Sequence, residues 1–406
     1  MHLVKKICIA VFAILVAWFV FNVCAARILV KNNPEKASKL FSSYSEALIA
    51  QNANLIKGRG FDEKLIRSNA AKILKRAPLN DDAFLHLAMA DYAATKSDLN
   101  LELLQTAKAR NARNRTALAN LFQYHFNNEN FTNALSELEI LYRLDPEKAS
   151  QYLTVFGVIY TDPLGEKAIE ERLTTAPVWG NYFLINQLNQ ITDPDKLLRQ
   201  EKSVTGYTQA ISDPDIARNL SERYIKKLVQ AGLYSEAWNF WMLFQPAVRK
   251  KVKNRVSVLY NHDFTDWSAV APFNWELFST DEVISERNQN EGLFVSFNVG
   301  SPKIITRQYV LMPSSGTLRL ILDSQLSFNQ NQSTLECRLT CLPDRSQAYS
   351  VTLNESGLIS TLLIDNADSL KDCPFAVFEL WGIPGLYQKR ISGSISSITL
   401  ATDEVK

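Results

Sequence analysis

Apolar residues recur at intervals of three and four along residues 34–247, a spacing typical of amphipathic α-helices. Within this stretch Pro78, Ala112 and Pro146 stand 34 residues apart, each where one amphipathic pattern ends and the next begins. A repeat of this length predicts helix pairs that stack on their neighbours and together bury a continuous core.

Three helix pairs are predicted from the capping residues and the breaks in this pattern. The first covers residues 34–51 and 62–76, the second opens at Asn80, and the third opens near Asn114. Later breaks fall at Pro163, Pro177, Pro194 and Pro214. The shorter helices between these prolines are interpreted as degenerate repeats of the same array.

The best-defined helix in the array covers residues 131–146. It begins at Phe131, carries the small residue Ala134 where two helices would touch, and stops at Pro146. This pattern resembles the second helix of a tetratricopeptide repeat, and the resemblance extends over residues 62–146. It implies a stacked array whose concave face binds a protein partner.

The character of the chain changes after the basic stretch at residues 248–255. From residue 256 on, short β-rich runs alternate with turn residues. These runs are residues 293–299, 304–311, 317–322, 336–341, 349–353, 359–364, 375–381 and 394–400. Their number and spacing predict an antiparallel β-sandwich over residues 256–406.

The beginning of this second region carries its own pattern. Residues 259–264 (LYNHDF) and 271–277 (APFNWEL) resemble the first strand and following aromatic segment of carbohydrate-binding or galactose-binding jelly rolls. His262 replaces the glycine that is usual there. The resemblance implies a jelly roll that binds glycans, with residues 259–264 as its first strand.

The N-terminus differs from that of a plain globular chain. An uncharged run at residues 7–26 follows Lys5 and Lys6 and would span about 30 Å as a helix, enough to cross a bilayer. It predicts a transmembrane signal anchor over residues 1–27, with a cleaved signal peptide as the alternative. Positive charges flank the run on both sides and are nearly balanced, so they do not set its orientation. We predict that the chain after the run lies outside the cytoplasm, because long downstream domains are translocated largely regardless of charge.

The balance of charge argues against one class of partner. Lys and Arg total 44 and Asp and Glu total 42, which gives no support for nucleic-acid binding. Residues 248–255 are predicted as a linker whose cationic side chains are candidates for contact with an anionic partner. They are Arg249, Lys250, Lys251, Lys253 and Arg255.

Catalytic motifs are not evident in the sequence. The four histidines are widely spaced, and no phosphate-binding loop, nucleophile elbow or HExxH motif occurs. We therefore expect no enzymatic activity, no cofactor and no metal site. A carbohydrate-active enzyme with an acidic pair in the sandwich is the alternative.

Aromatic side chains in the sandwich are the candidates for glycan contact, because sugars stack on rings while polar neighbours bind their hydroxyls. Trp381 and Tyr387 flank a loop rich in glycine and proline, and Trp267 lies in the opening loop. The alternative for Trp381 is a core position that only fills the sandwich.

Three cysteines lie in the C-terminal third of the chain. Cys337 and Cys341 are four residues apart and therefore share one face of a predicted strand. In an oxidising compartment Cys373 can pair with either of them, and buried free thiols are the alternative.

The order of anchor, helical repeats and jelly roll resembles bacterial envelope proteins associated with exopolysaccharide production. The sequence therefore predicts a single-pass inner-membrane protein with its bulk in the periplasm. Its predicted role is that of a scaffold in the assembly or export of a surface polysaccharide. A purely structural assembly protein without glycan contact is a further alternative.

Overall fold

Helices occupy the first part of the chain and strands the last part, as the sequence predicts. A computed structural model describes residues 2–41, 44–58, 61–95, 100–244, 257–288, 292–314, 316–328, 333–344, 348–364, 373–385 and 390–403. The chain divides into two compact units, Met1–Glu171 and Arg172–Lys406. This division lies inside the predicted helical domain, residues 34–247. The predicted linker at residues 248–255 lies outside the described residues.

The first part contains fourteen α-helices within the described ranges. Those of the first unit are α1 (His2–Asn32), α2 (Pro34–Leu40), α3 (Ser45–Lys57), α4 (Glu63–Arg76), α5 (Asp81–Thr95), α6 (Leu101–Arg110), α7 (Arg115–Asn127), α8 (Phe131–Leu144) and α9 (Ala149–Tyr160). Helix α10 (Pro163–Leu173) crosses the division, and α11 (Gly180–Gln190), α12 (Pro194–Ala210), α13 (Pro214–Gln230) and α14 (Tyr234–Phe244) belong to the second unit.

Side-chain caps fix where helices α4 to α8 begin. At each start an Asp or Asn side-chain oxygen accepts a backbone N–H of the first turn, which satisfies a group that has no partner inside the helix. The capping residues are Asp62, Asn80, Asn100, Asn114 and Asn130. The predicted openings at Asn80 and Asn114 are therefore confirmed.

The first predicted helix, residues 34–51, is wrong in its extent. Two helices, α2 and α3, occupy this stretch, because the chain leaves helical geometry at Phe41, where φ is −121° and ψ is 51°.

Small residues mark the contacts between neighbouring helices in the first unit. Helices α3 to α8 each pack against the next along the chain. Ala83 and Ala117, which are 34 residues apart, are both fully buried, as are Ala107 and Ala134. Alanine has no side-chain atoms beyond Cβ, so two helix backbones can approach closely at these positions. The four alanines therefore set the distance between neighbouring helices.

Helix α1 carries the apolar N-terminal run. Its segment Phe12–Asn32 has a mean hydropathy of 2.2 and almost no burial. Large side chains such as Phe12, Trp18 and Phe19 are about two-thirds exposed. The helix is long and apolar enough to serve as a single-pass membrane anchor or a signal sequence.

Ten β-strands follow within the described ranges. They are β1 (Glu276–Leu277), β2 (Val283–Asn288), β3 (Gly292–Phe297), β4 (Lys303–Leu311), β5 (Thr317–Leu326), β6 (Thr334–Leu342), β7 (Ala348–Leu353), β8 (Gly357–Ile364), β9 (Phe375–Ile383) and β10 (Ile391–Asp403). All eight predicted runs form strands, and β1 and β2 are additional.

The strands form two antiparallel five-stranded sheets. We call β1-β4-β9-β6-β7 the first sheet and β2-β3-β10-β5-β8 the second sheet. Strands β3 to β10 have the connectivity of a jelly roll. Their order is β4-β9-β6-β7 in the first sheet and β3-β10-β5-β8 in the second sheet. Side chains alternate along each strand, so one set fills a shared apolar core and the other faces outward.

The predicted first strand at residues 259–264 is wrong, because these residues form turns. Asn261 and Phe264 adopt left-handed φ values of 51° and 56°, which a strand cannot contain. The indole N–H of Trp275 donates to the carbonyl of Asn261 at 2.8 Å and holds this turn on the sandwich. Phe264 and Trp275 are buried in its core.

An aromatic cluster joins helix α14 to the sandwich within the second unit. The ring of Trp241 lies 5.3 Å from Tyr260 and 5.6 Å from Phe273, and Trp238 lies 5.1 Å from both Trp241 and Phe273. The Trp241 indole N–H also donates to the carbonyl of Val270 at 2.9 Å. Helix α14 therefore packs directly on the sandwich through these rings.

Helices α13 and α14 also cover part of the outer face of the first sheet. Tyr234 stacks on Tyr309 and packs against Phe375, at ring distances of 6.4 and 6.0 Å. Lys226 forms an ion pair with Glu276 of β1 at 3.2 Å. The remaining part of this face, around the middle of β6 and β9, contains the candidate site described below.

A buried histidine makes the stability of the first unit sensitive to pH. His86 of α5 is 5% exposed, and its Nδ1 has no hydrogen-bond partner in the described structure. Burial lowers the pKa of His86 to about 4. In an unfolded chain the same group titrates near 6.5, so acidification protonates the unfolded state first.

We expect acidification from pH 7 to pH 4 to cost about 3 kcal/mol of folding free energy through His86 alone. The loss begins as the pH falls below 6.5, the pKa of His86 in the unfolded chain. It is nearly complete at pH 4, close to the pKa of His86 in the folded chain. Urea unfolding of the native chain and His86→Leu, followed by circular dichroism at both pH values, checks this. The variant should lose about 3 kcal/mol less on acidification, whereas equal losses in both proteins would contradict the prediction.

Candidate functional site

Four charged or aromatic side chains project from two neighbouring strands on the outer face of the first sheet. They are Glu336 and Arg338 on β6 and Glu379 and Trp381 on β9. In the register of the two strands Glu336 lies opposite Trp381, and Arg338 lies opposite Glu379. All four are partly exposed, and the residues between them point into the core. We call this set the Trp381 patch.

Hydrogen bonds and stacking hold the Trp381 patch in one arrangement. Arg338 donates from Nε and Nη2 to the two oxygens of Glu336 at 2.8 and 3.0 Å. The guanidinium of Arg338 lies 4.4 Å from the centre of the Trp381 ring, within the range of a cation–π contact. Trp381 Nε1 donates to Glu379 at 3.0 Å.

The electrostatics of the patch favour the charged form of Glu336. The two hydrogen bonds from Arg338 lower the pKa of Glu336, and the same contact raises the pKa of Arg338. Glu379 lies between Arg338 of β6 and Arg307 of β4 in the register of the sheet, so two acidic and two cationic side chains balance here. The local charge therefore does not attract a strongly anionic ligand.

Hydroxyl groups surround the charged centre of the patch. Ser350 hydrogen-bonds with Glu336, and Ser350 and Thr352 project from β7 on the same outer face. Thr334 and Thr340 lie at the two ends of the β6 row. An aromatic ring among fixed donors and acceptors is the composition that binds hydroxyl-rich small molecules.

The structure does not bring the predicted aromatic residues together. The ring centre of Trp267 lies 6.3 Å from that of Phe264 and 6.0 Å from Cζ of Arg287. Its indole N–H donates to the Phe264 carbonyl. Arg287 belongs to the second sheet, so Trp267 and Trp381 are associated with different sheets. Tyr387 lies outside the described residues.

The predicted anionic-partner cluster also lies outside the described residues. Its members are Arg249, Lys250, Lys251, Lys253 and Arg255. Of the two cysteine pairings that the sequence left open, the structure contains Cys341–Cys373. Cys337 is a free, buried thiol.

Sequence reasoning missed the charged members of the Trp381 patch. Glu336 and Arg338 are two residues apart in one predicted strand, and Glu379 and Trp381 are two apart in another. This spacing already places each pair on one face of its strand. The missing information was that β6 and β9 are neighbours, because residues that are distant in sequence decide strand order.

The first unit has a polar pocket of its own, with a volume of about 550 Å³. It lies where helices α5 and α7 begin, and its lining residues are Asp81, Asp82, Asn111, Arg113, Asn114, Arg115 and Leu144. The amides of Asn111 and Asn114 each donate to Asp81 at 2.8 Å. Burial and the neighbouring Asp81 raise the pKa of Asp82.

In the described part of the chain, no three His, Cys, Asp or Glu side chains come together in a way that could hold a metal ion.

No family model and no curated protein matches the sequence. The resemblance to tetratricopeptide repeats and to exopolysaccharide-associated envelope proteins therefore stays a prediction. Among solved structures, the enzymatically active domain of tailspike protein 4 from bacteriophage CBA120 matches with 15% identity and a TM-score of 0.24. The match covers 36% of this chain and 22% of the tailspike chain.

The expectation of no enzymatic activity is corrected by this comparison, because the matched structure is an enzymatically active domain. A TM-score of 0.24 is too low to assign a reaction.

Proposed function

We propose that this protein is a membrane-anchored adaptor whose Trp381 patch binds a neutral, hydroxyl-rich glycan. One observation carries the proposal: Trp381 projects from the outer face of β9 among fixed polar groups and does not fill the core. This position argues against the alternative in which the ring only plugs the sandwich. The jelly roll and its resemblance to carbohydrate-binding modules support the same function.

We place the folded units outside the cytoplasm of a bacterial cell, at the inner membrane. Two features support this location. Helix α1 has the length and hydropathy of an anchor. The Cys341–Cys373 disulfide is typical of an oxidising compartment such as the periplasm. A secreted protein whose signal sequence is cleaved is the alternative.

The helical unit would bind a protein partner, as tetratricopeptide-like stacks do. The polar pocket at the starts of α5 and α7 supports this role, because its carboxylates, amides and guanidinium groups offer both donors and acceptors. Linking a partner protein to a glycan is the action of an adaptor in the assembly or export of a surface polysaccharide.

Replacing Trp381 by alanine is expected to weaken glycan binding at least about tenfold, because the stacking surface for the sugar ring is lost. The measurement is affinity electrophoresis of the full-length chain in detergent against a panel of neutral and acidic surface polysaccharides. Arg338→Lys should also weaken binding, since lysine cannot make the bidentate contact with Glu336.

Tyr182→Ala is the matched control, because Tyr182 is an aromatic residue that is 61% exposed and belongs to helix α11, not to the sandwich. It should leave both binding and melting temperature unchanged. The Trp381→Ala chain should melt within a few degrees of the native chain, since the ring lies outside the core. Equal binding by the native chain and Trp381→Ala, or no binding to any glycan, would refute the proposal.

Glycan cleavage at the same patch is a second candidate function. The observation that favours it is the pair Glu336 and Glu379, which occupy diagonal positions on adjacent strands. The backbones of diagonal neighbours lie about 7–8 Å apart, which lets two glutamate side chains reach the carboxyl separations that glycosidases use. Release of reducing ends from a bound polysaccharide, abolished in Glu379→Gln, would establish it. Binding without release would leave the adaptor function alone.

A further inference from the structure

Strand β8 is an edge of the second sheet, and its exposed side is apolar. Among the described strands it pairs only with β5. Leu358 is 74% exposed and Leu362 is 44% exposed, and both point away from the core with Ser360 between them. The eight residues of β8, GLISTLLI, include no charge and no proline.

Soluble proteins normally protect such an edge. Charged side chains, prolines, bulges or very short strands prevent it from pairing with another chain. Strand β2, at the opposite edge of the same sheet, carries Glu286 and Arg287. Strand β1 has only two residues, and the outward side chains of β7 include Ser350 and Thr352. Of these edges, β8 alone combines ordinary strand length with exposed leucines.

The sequence of β8 is complementary to itself. If two copies pair antiparallel about a twofold axis at Ser360, each residue of one copy lies opposite the residue equally far on the other side of Ser360. Leu358 then faces Leu362 of the second copy, and Leu362 faces its Leu358. Apolar pairs of this kind are the units that stabilise antiparallel sheets.

Charges on the next strand fit the same twofold axis. On β5, Asp323 lies beside Leu358 and Arg319 lies beside Leu362. Each row across the joined sheets therefore runs from an aspartate through two leucines to an arginine of the second copy. No two like charges face each other, and the apolar side chains meet in the middle.

We propose that the protein forms a twofold homodimer by pairing β8 of one copy with β8 of a second copy. The partner is a second copy because the strand is uncharged and matches itself about Ser360. The two sandwiches then share one continuous ten-stranded sheet. This inference is independent of the proposed function, but a dimer would present two Trp381 patches and thereby raise the avidity for a repeating polymer.

Cysteine cross-linking tests the register. In a Cys8→Ser, Cys24→Ser background, Ser360→Cys places two thiols opposite each other at the axis, within the reach of a disulfide. Mild oxidation of the full-length chain in detergent should give roughly tenfold more covalent dimer than Thr352→Cys, its matched control on β7. Equal cross-linking at the two positions would overturn the proposal.

Sedimentation of the same full-length chain tests the dimer itself. The native chain should sediment as a dimer, and the double variant Leu358→Lys, Leu362→Lys should raise the dissociation constant at least about tenfold, because lysines then face lysines. Both leucines are exposed, so the variant should keep its melting temperature. A monomeric native chain, or a dimer that persists in the double variant, would overturn the proposal, the latter because another surface would then be responsible.

Discussion

Replacing Trp241 by alanine is expected to lower the free energy of unfolding of the second unit by about 4–5 kcal/mol. Trp241 is fully buried and packs against Trp238, Tyr260 and Phe273. Its removal leaves a large cavity between α14 and the sandwich. It also leaves the buried carbonyl of Val270 without the indole donor that now satisfies it.

Leu243→Ala is the control for this prediction. It lies two residues from Trp241 on the same helix but is 58% exposed, so its loss should cost less than about 0.5 kcal/mol. Urea unfolding followed by near-ultraviolet circular dichroism reports on the aromatic cluster directly. If Trp241→Ala unfolded at the same urea concentration as Leu243→Ala, helix α14 would not contribute to the stability of the sandwich.

The same packing decides which part of the chain suits a binding experiment. A fragment that began at residue 257 would expose Tyr260 and Phe273, which α14 now covers. The carbonyl of Trp267 would also lose its hydrogen bond from Arg218 of α13. Glycan-binding tests therefore need the helices of the second unit as well as the sandwich.

Local patterns predicted the strands and most of the helix starts. The eight β runs were recognisable because alternation of side chains and the turns between runs are properties of neighbouring residues. The caps at Asn80 and Asn114 were recognisable for the same reason. Residues 259–264 were assigned wrongly because Asn261 and Phe264 adopt left-handed φ values, which are uncommon for residues other than glycine.

Contacts between distant segments could not be predicted in this way. Trp381 was identified as a candidate, but Arg338 comes to lie over its ring only because β6 and β9 are neighbours in the sheet. Residues 34–247 were predicted as one helical array, but the aromatic residues of α14 pack on the sandwich. In both cases the sequence indicates an exposed or apolar face, but the residues that contact this face come from a distant part of the chain.

Breaking the Cys341–Cys373 disulfide is expected to lower the free energy of unfolding of the second unit by about 3–4 kcal/mol. The bond joins the end of β6 to the segment before β9, and its cysteines are 32 residues apart. Without the bond, this loop is no longer closed, and the conformational entropy of the unfolded chain increases. Urea unfolding with and without a reductant, and of the Cys341→Ser, Cys373→Ser double variant, measures the effect.

Cys337→Ala provides the control for the disulfide prediction. Burial raises the pKa of the Cys337 thiol to about 12, so it stays protonated and should not react with alkylating reagents in the folded protein. This variant should keep the full response to reductant, and thiol titration of the denatured chain should count two additional thiols after reduction. If reduced and oxidised chains unfolded at the same urea concentration, the bond would not stabilise the fold, and its support for a periplasmic location would weaken with it.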